Sequence, residues 1–511
     1  MAEQNIDYEV VKKPGQDTPL TEWEVEDFLR CRDDPWFFFT QRCKVIGPKG
    51  VDYFEPRDYQ IELLQDVIDN RFVIANAPRQ TGKTTLAALW ALHQITFFSD
   101  ITVGLTSFKL VNCRDLISRI KDAYSYLPDY LKNPVITWNT SEIKFTNGST
   151  AFAQVLSGNT FRGRTITGTA IIDEYSYCPP AVAEEFYVSF MPALEAAGED
   201  STTKVLIIST PQGTTGKYAE LAFGAMNKNN GWVYHKVDHK KIPGRTEKFK
   251  KQMIEKIGKT GWLVEFEGAW LSDKPMLVRS DIVENITPKD PVRQYGDFAV
   301  YVDSFKNRKL CMSCDVAEGV NKDSHCVQVI DVDSLEQVGE FANNTINQNL
   351  YFKEILKIIH LVFSEGCSDV WLSVEKNGLG NGILRLIENS NDDYLSNCMV
   401  LGDLDVSGNP KGTIGITTTN KSKLEGCATL KEMVEEGKLT LRSQSLLNEL
   451  RMFVHQGNTF KAEKGAKDDR VMAMVIAMNM LKQIANAEEG VFDVLNEVSL
   501  DKEDEIYDIY F

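Results

Sequence analysis

The stretch APRQTGKTT, residues 77–85, decides how the amino-terminal half of the chain is interpreted. It follows the apolar run FVIA and opens the segment GKTTLAALWALHQITFF, which has helical character. A strand that enters a tight turn and then a helix is the setting in which backbone N–H groups hold phosphate oxygens. Lys83 is placed to reach the β and γ phosphates, and Thr84 to bind magnesium. The alternative, a chance Gly-Lys-Thr at a helix start, is weakened by this context, although Ala77 replaces the usual first glycine.

The predicted nucleotide site includes further residues of the loop and of other segments. Asp173 ends the apolar run TGTAIID, where it is expected to hold the magnesium ion, and Glu174 is expected to orient or deprotonate the attacking water. Arg79 is close enough to stabilise charge on the γ phosphate, although a solvated loop arginine is the alternative. The remaining predicted contacts are Gln80, Thr81, Gly82, Thr85, Ser209 and Thr210.

Upstream of the loop, Tyr59 and Gln60 are predicted nucleotide contacts, and Gln60 is predicted to recognise the adenine base. A glutamine amide can donate and accept at once, which suits the paired hydrogen bonds that select adenine. An ordinary helix start, with Asp58 as its cap, explains the same residues. For Ser209 and Thr210, sensing of the γ phosphate is weighed against a plain Pro-Gly turn.

Length and patterning predict two principal domains in the 511 residues. Short β-branched runs alternate with helical stretches up to about residue 275, which predicts an α/β domain with a parallel sheet and ligand loops at the carboxyl ends of its strands. We place a leader at 1–50, the first domain at 51–275, the second at 276–487 and an acidic tail at 488–511. The net charge of −17 argues against a uniformly basic surface for nucleic acid. No run is long and apolar enough for a membrane span.

The second domain opens with three strand-like runs, KLCMSCDV, SHCVQVIDV and LEQVGEFA, which indicate an antiparallel meander within a mixed sheet. Asp315 and Glu375 each close an apolar strand, where a buried carboxylate is costly without a cation. Asp468 and Asp469 begin the last helix, so helix capping is the alternative for this pair. Together these acids predict a site for two Mg²⁺ or Mn²⁺ ions that hydrolyses a phosphodiester. Asp468 is preferred over Asp469 as the ligand.

The combination of residues 79–85, Asp173-Glu174 and Ser209-Thr210-Pro211 resembles the large terminase subunits of tailed bacteriophages. The resemblance covers roughly residues 55 to 485 and extends to the three acidic positions of the second half. It implies a RecA-like ATPase domain with a small linker subdomain at its carboxy-terminal end, followed by a ribonuclease H-like endonuclease. It places the in-loop catalytic arginine of the family on Arg79 and the Arg-Gly loop of these motors on residues 159–164.

The resemblance further implies an ATP-driven motor that moves double-stranded DNA into a procapsid and cuts concatemeric DNA. The implied partners are a portal protein and a small terminase subunit, with a ring, often pentameric, on the procapsid and a monomer possible in isolation. The chain is expected in the host cytoplasm, transiently at the portal vertex and not in the mature virion. The alternatives are a helicase or repair ATPase with an attached nuclease, and a structural packaging component that binds ATP without turnover.

Overall fold

The structure is a computed structural model, which describes residues 11–15, 19–47, 50–195, 201–272, 274–317, 323–376, 378–404 and 410–487. The predicted acidic tail, residues 488–511, lies outside them. The chain divides into two compact units, Met1–Leu271 and Ser272–Phe511. No described helix combines the length and the apolar character needed to cross a bilayer.

The first unit contains eight described α-helices and ten described strands. They are α1 (Glu22–Asp33), α2 (Pro35–Gln41), β1 (Lys44–Gly47), β2 (Gly50–Tyr53), α3 (Asp58–Asp69), β3 (Phe72–Asn76), α4 (Lys83–Phe97), β4 (Thr102–Ser107), α5 (Leu110–Ser125), β5 (Val135–Trp138), β6 (Glu142–Phe145), β7 (Thr150–Val155), β8 (Thr169–Asp173), α6 (Pro180–Leu194), β9 (Lys204–Ser209), α7 (Lys217–Met226), β10 (Val233–Lys236) and α8 (Glu247–Glu267).

The main sheet of the first unit has the order β10-β3-β9-β8-β4-β7-β6-β5. The strands from β10 to β7 pair in parallel, and the antiparallel β6 and β5 complete one edge. The predicted parallel sheet is thus confirmed. Because β3, β9 and β8 are neighbours, the loops after them meet at one edge of the sheet. These are the loops that carry the predicted nucleotide contacts.

The leader is packed into the core of the first unit. Phe38 of α2 lies edge-on against Phe97 of α4, with ring centroids 4.9 Å apart. The buried His93 ring of α4 places Nε2 3.0 Å from the carbonyl oxygen of Cys31 and 3.1 Å from that of Arg32. These contacts fasten the end of α1 to the helix that follows the phosphate loop.

The second unit contains seven described α-helices and eleven described strands. They are α9 (Ser280–Asn285), β11 (Arg293–Tyr295), β12 (Phe298–Val300), β13 (Lys309–Asp315), β14 (His325–Asp331), β15 (Glu336–Asn343), α10 (Gln348–Ser364), β16 (Asp369–Val374), α11 (Gly380–Glu388), α12 (Asp393–Ser396), β17 (Met399–Val400), β18 (Gly402–Leu404), β19 (Pro410–Ile414), α13 (Asn420–Glu435), α14 (Gln444–Met452), β20 (Phe453–Gln456), β21 (Thr459–Ala462) and α15 (Asp469–Ala487).

The sheet of the second unit has the order β11-β12-β15-β14-β13-β16-β17. Strands β13, β14 and β15 form the predicted antiparallel meander, and β16 joins β13 in parallel. Side chains alternate along β13: Leu310 and Met312 enter one apolar cluster, whereas Cys311 enters the other, together with residues of α13, α14 and α15. Since Ser313 and Asp315 follow Cys311 at steps of two, they share the face covered by α15.

Candidate functional site

The phosphate loop has the backbone that its sequence predicts. It follows β3 and ends at Gly82, which adopts a left-handed conformation with φ 92° immediately before α4 begins at Lys83. A side chain is disfavoured there, because a Cβ on Gly82 would also lie 3.1 Å from Gln60 Nε2. The first N–H groups of α4, which have no acceptor within the helix, therefore face the loop, where an anion is stabilised by the helix dipole.

Lys83 and Thr210 lie on the inner side of the phosphate loop. Lys83 Nζ donates to the carbonyl oxygen of Ala77 at 3.0 Å and lies 3.5 Å from Thr210 Oγ1. Burial lowers the pKa of Lys83, while the carboxylates of Asp173 and Glu174 act in the opposite direction. The Lys83 ammonium group thus donates hydrogen bonds to protein oxygens, which phosphate oxygens would replace.

Thr84 and Asp173 meet across the sheet edge. Thr84 Oγ1 donates to Asp173 Oδ2 at 3.2 Å. Asp173 is only 4% exposed, and burial raises its pKa although Lys83 opposes the shift. Both oxygens are of the type that Mg²⁺ binds, and they lie beside the phosphate loop. The donor set therefore fits a magnesium ion that accompanies a nucleotide.

Glu174 occupies a constrained position directly after Asp173. Its φ of 55° is left-handed, and its backbone N–H donates to the carbonyl oxygen of Ile208 at 2.8 Å. Its carboxylate accepts a hydrogen bond from Asn112 Nδ2 of α5. A non-glycine residue with this backbone is uncommon and is frequently found at functional sites.

Arg79 is engaged by neighbours outside the loop. Its Nε lies 2.5 Å from Glu265 Oε2, and Nη2 donates to Tyr177 Oη at 3.1 Å. The side chain is 54% exposed. Arg79 would have to leave Glu265 to bring its full charge to a γ phosphate.

The Ser209-Thr210 segment contacts both sides of the nucleotide site. Ser209 accepts the Ala77 N–H through its carbonyl oxygen at 3.0 Å, and its hydroxyl lies 2.7 Å from Ser176 Oγ. Thr210 Oγ1 donates to the Ala77 carbonyl oxygen at 3.0 Å. The segment therefore connects the phosphate loop with the residues that follow Glu174.

Tyr59 and Gln60 lie against the loop itself. Tyr59 Oη donates to the carbonyl oxygen of Thr81 at 2.6 Å, and Gln60 Nε2 donates to that of Gly82 at 3.1 Å. Gln60 Oε1 accepts the Arg57 N–H at 2.9 Å. Both ends of the Gln60 amide are thus engaged within the protein, which differs from the predicted paired contact with adenine. In this conformation the two residues support the loop.

Sequence reasoning did not identify Arg119 as part of the nucleotide site. A cavity of about 430 Å³ adjoins the loop and is lined by Phe54, Ile46 and Arg119 as well as Thr85. Arg119 Nη1 donates to Thr85 Oγ1 at 3.1 Å, and Nε lies 2.7 Å from Asp115. The cavity offers apolar surface and a cation beside the predicted phosphate loop. The signal was weak because Arg119 belongs to an ordinary amphipathic helix.

The second site forms where β13 and β16 end side by side. Cys314 pairs with Val374 in parallel register, so Asp315 and Glu375 follow as the next neighbours. Their carboxyl groups share a hydrogen bond, and the pKa of Asp315 is raised well above its ordinary value by burial, by Glu375 and by Asp469. One proton or one cation must therefore lie between these acids for the pair to be stable.

Asp469, rather than Asp468, is the residue of this helix start that raises the pKa of Asp315. Asp469 is 7% exposed, and burial raises its pKa. Its Oδ2 accepts the Ser324 N–H at 2.7 Å. Asp468 Oδ2 instead accepts the Ala462 N–H at 3.1 Å, which fastens the end of the β20–β21 hairpin. The preference for Asp468 as ligand is therefore not supported by the geometry, and the sequence could not separate two adjacent aspartates at a helix start.

Asp315, Glu375 and Asp469 are suitable metal ligands, but their carboxyl groups do not form a ready metal site in this structure. Among the described residues, no three His, Cys, Asp or Glu side chains already form a set that would hold a metal ion. Asp315 and Glu375 share a hydrogen bond that a divalent cation would replace, and carboxylate oxygens suit Mg²⁺ or Mn²⁺.

The glycines after Glu375 have a packing role. A Cβ on Gly380 would lie 1.8 Å from the carbonyl oxygen of Glu375, so only glycine permits α11 to begin this close to the acid. In the predicted Arg-Gly loop, Arg164 pairs with Glu142 at 3.3 Å.

Comparisons with known proteins bear on the second unit. A family model described as the terminase RNaseH-like domain matches residues 312–481, which confirms the predicted resemblance to large terminases. The large terminase of a thermophilic bacteriophage is 13% identical, with 84% of this chain and 100% of that chain covered and a TM-score of 0.35. The HK97 bacteriophage large terminase is 12% identical, with 88% and 99% covered and a TM-score of 0.42. The large terminase nuclease of thermophilic phage G20c with bound magnesium is 16% identical, with 41% and 98% covered and a TM-score of 0.31.

Proposed function

We propose that this chain, whose residues 312–481 match the terminase RNaseH-like domain, is a large terminase subunit that hydrolyses ATP to move double-stranded DNA and cuts that DNA with divalent metal ions. The observation that carries the proposal is the side-by-side position of Asp315 and Glu375 after β13 and β16, with Asp469 bound to Ser324 at the same end of the sheet. We assign the ATPase to residues 51–275 and the nuclease to residues 276–487. Residues 1–50 are the leader and 488–511 the tail.

The chemistry at the first site follows from its own residues. The first N–H groups of α4 and the Lys83 ammonium group would bind the β and γ phosphates of ATP. Thr84 and Asp173 would hold a magnesium ion, which neutralises phosphate charge. Glu174 would accept a proton from the attacking water, and Arg79 would stabilise the γ phosphate after leaving Glu265. Ser209 and Thr210 contact the loop directly, which suits the sensing of phosphate loss.

At the second site, Asp315, Glu375 and Asp469 would hold two divalent ions. Such ions activate water and stabilise the leaving oxygen of a phosphodiester. The protein residues bind, orient and desolvate the reacting groups. The electrophile is a phosphorus atom of the DNA backbone. Mg²⁺ and Mn²⁺ are the expected ions because the ligands are carboxylate oxygens.

The proposal includes the setting implied by the resemblance. The partners would be double-stranded DNA, a portal protein and a small terminase subunit, and the chain would form a ring, often pentameric, at the portal vertex in the host cytoplasm. A helicase with attached nuclease would usually carry a second RecA-like lobe, whereas the described part of the second unit is built on a different, mixed sheet. A packaging component without turnover has no need for the Thr84–Asp173 contact beside Lys83.

Plasmid digestion and ATP hydrolysis test the division of labour. We expect Asp315→Ala to abolish cutting in Mg²⁺ or Mn²⁺ while DNA-stimulated ATP hydrolysis continues. Lys83→Ala should abolish ATP hydrolysis while cutting continues, because the two sets of residues belong to different sheets. If both activities disappear together in each variant, the assignment of two independent sites is wrong.

A further inference from the structure

Helix α15, which carries Asp469 in its first turn, is capped by a residue from another helix. Glu449 of α14 accepts the backbone N–H groups of Arg470 at 2.8 Å and Val471 at 3.2 Å through Oε2. The first N–H groups of a helix have no partner within it, so a carboxylate there is stabilised by hydrogen bonds and by the helix dipole. Asp468, the local candidate for this role, is occupied with Ala462.

The side chain of Arg470 connects Glu449 to a second buried carboxylate, that of Glu340. Its Nη1 donates to Glu449 Oε1 at 2.8 Å, and its Nε donates to Glu340 Oε1 of β15 at 3.0 Å. Glu449 is 5% exposed and Glu340 is 6% exposed. Glu340 is itself held by Ser443 Oγ at 2.8 Å. The residue after Asp469 is therefore fixed through both its backbone and its side chain.

We propose that Glu449 is a positioning residue for metal binding at the nuclease site, because it fixes the first turn of α15 and thereby Asp469, which lies at the same end of the sheet as Asp315 and Glu375. This inference rests on the proposed nuclease function. Glu449 touches neither Asp315 nor the reacting atoms in this role; it acts through the helix. Partners that orient a metal ligand typically contribute about 10-fold to 100-fold to metal affinity or activity.

Glu449 uses both of its carboxylate oxygens as acceptors in this role. Its Oε2 receives two N–H groups while Oε1 receives a guanidinium, which a neutral amide cannot reproduce because one end of the amide is a donor. Glu449→Gln leaves the half-buried Arg470 with one carboxylate, that of Glu340, instead of two. The first turn of α15 would then loosen where Asp469 begins it.

Mn²⁺ binding to the full-length chain, measured by isothermal titration calorimetry without nucleotide, tests the inference. We expect Glu449→Gln to weaken binding about 10-fold, within the range typical of residues that orient ligands. Plasmid cutting should recover in part when Mn²⁺ is raised, and ATP hydrolysis should be unchanged. Arg470→Lys keeps the positive charge but cannot donate to Glu449 and Glu340 at the same time, so it should weaken Mn²⁺ binding to a smaller extent. This variant tests the inference if Glu449→Gln does not fold.

Glu284→Gln is the matched control. Glu284 forms an ion pair with Arg451 of the same helix α14 at 2.8 Å, and both side chains are 7% exposed. This variant removes a similarly buried carboxylate from a pair that does not cap α15. It should lower the melting temperature to a similar extent and leave Mn²⁺ binding as in the parent. An equal weakening in Glu284→Gln and Glu449→Gln would overturn the inference.

A double variant shows whether Glu449 acts through Asp469. If it does, Glu449→Gln should weaken Mn²⁺ binding no further once Asp469→Asn is present, because coupled changes are not additive. A further loss of about 10-fold in the double variant would refute this route. If the parent neither binds Mn²⁺ nor cuts DNA, the proposed function fails; if it does both and Glu449→Gln behaves like the parent, only the inference fails.

Discussion

Two buried acidic sites in this chain balance their charge in different ways. In the first unit, Asp173 lies beside Lys83, whose positive charge lowers the pKa of that carboxyl against the effect of burial. In the second unit, the largest influences on Asp315 are burial and two further acids, Glu375 and Asp469, and all of them raise its pKa. The first site thus contains a cation of its own, whereas the second has accumulated negative charge that a proton or a metal must compensate.

The difference shows what each site is built to receive. A pocket with a buried lysine and the N–H groups of a helix start attracts an anion and needs a metal only as its companion. A cluster of carboxylates at a strand end is unfavourable until a cation arrives. The stability of the second unit should therefore depend on divalent metal more strongly than that of the first unit.

The largest expected effect separates the two adjacent aspartates. We expect Asp469→Asn to reduce plasmid cutting at least about 100-fold, as loss of a metal ligand or its orientation commonly does. Asp468→Asn should reduce it less than about 10-fold, since Asp468 holds the Ala462 N–H rather than facing Asp315. Initial rates at several Mn²⁺ concentrations measure both. Equal losses in the two variants would restore Asp468 to the ligand set.

A smaller effect concerns stability without metal. In EDTA near pH 8, Asp315→Asn should stabilise the second unit by about 2 kcal/mol, because Glu375 then lies beside a neutral amide and the pair no longer has to take up a proton from solution. Melting with and without Mn²⁺ measures this effect. The parent should gain stability when Mn²⁺ is added, whereas Asp315→Asn should gain little. A parent that melts at the same temperature in EDTA and Mn²⁺ would contradict the view that this cluster awaits a cation.

The sequence predicted the order of the elements and the residues at the strand ends, because strand and loop patterns are local. It identified Asp315 and Glu375 from the apolar runs before them, and Lys83 with Thr84 from the loop. It ranked Asp468 above Asp469, which the geometry does not support, because the difference between them depends on the contact of Asp469 with Ser324, which is distant in sequence. Arg119 and Glu449 were missed because their partners Thr85 and Arg470 are distant in sequence, and the adenine contact of Gln60 stays a prediction.

The smallest expected effect is a difference in the response of the two units to acid. His93 is buried among aromatic rings, and burial lowers its pKa from 6.5 to about 4. Below pH 6.5 the His93 side chain is therefore protonated in the unfolded chain but stays neutral in the folded unit. The contribution of His93 to the free energy of unfolding is complete above pH 6.5 and is lost as the pH falls toward 4. At about pH 5.5 the loss is about 1 kcal/mol relative to neutral pH.

In the second unit the sign is reversed. The raised pKa of Asp315 means that the folded unit retains a proton which the unfolded chain has released above its ordinary value of 3.8. Without metal, this group stabilises the second unit in acid and loses that contribution as the pH rises.

Hydrogen–deuterium exchange in EDTA between about pH 5.5 and 7.5, corrected for the intrinsic exchange rate, should show α4 less protected in acid and β13 more protected. His93→Gln should abolish only the first trend, and His360→Gln, at a half-exposed ring, should leave both. If α4 and β13 respond with the same sign, the two units do not balance their buried charge in different ways.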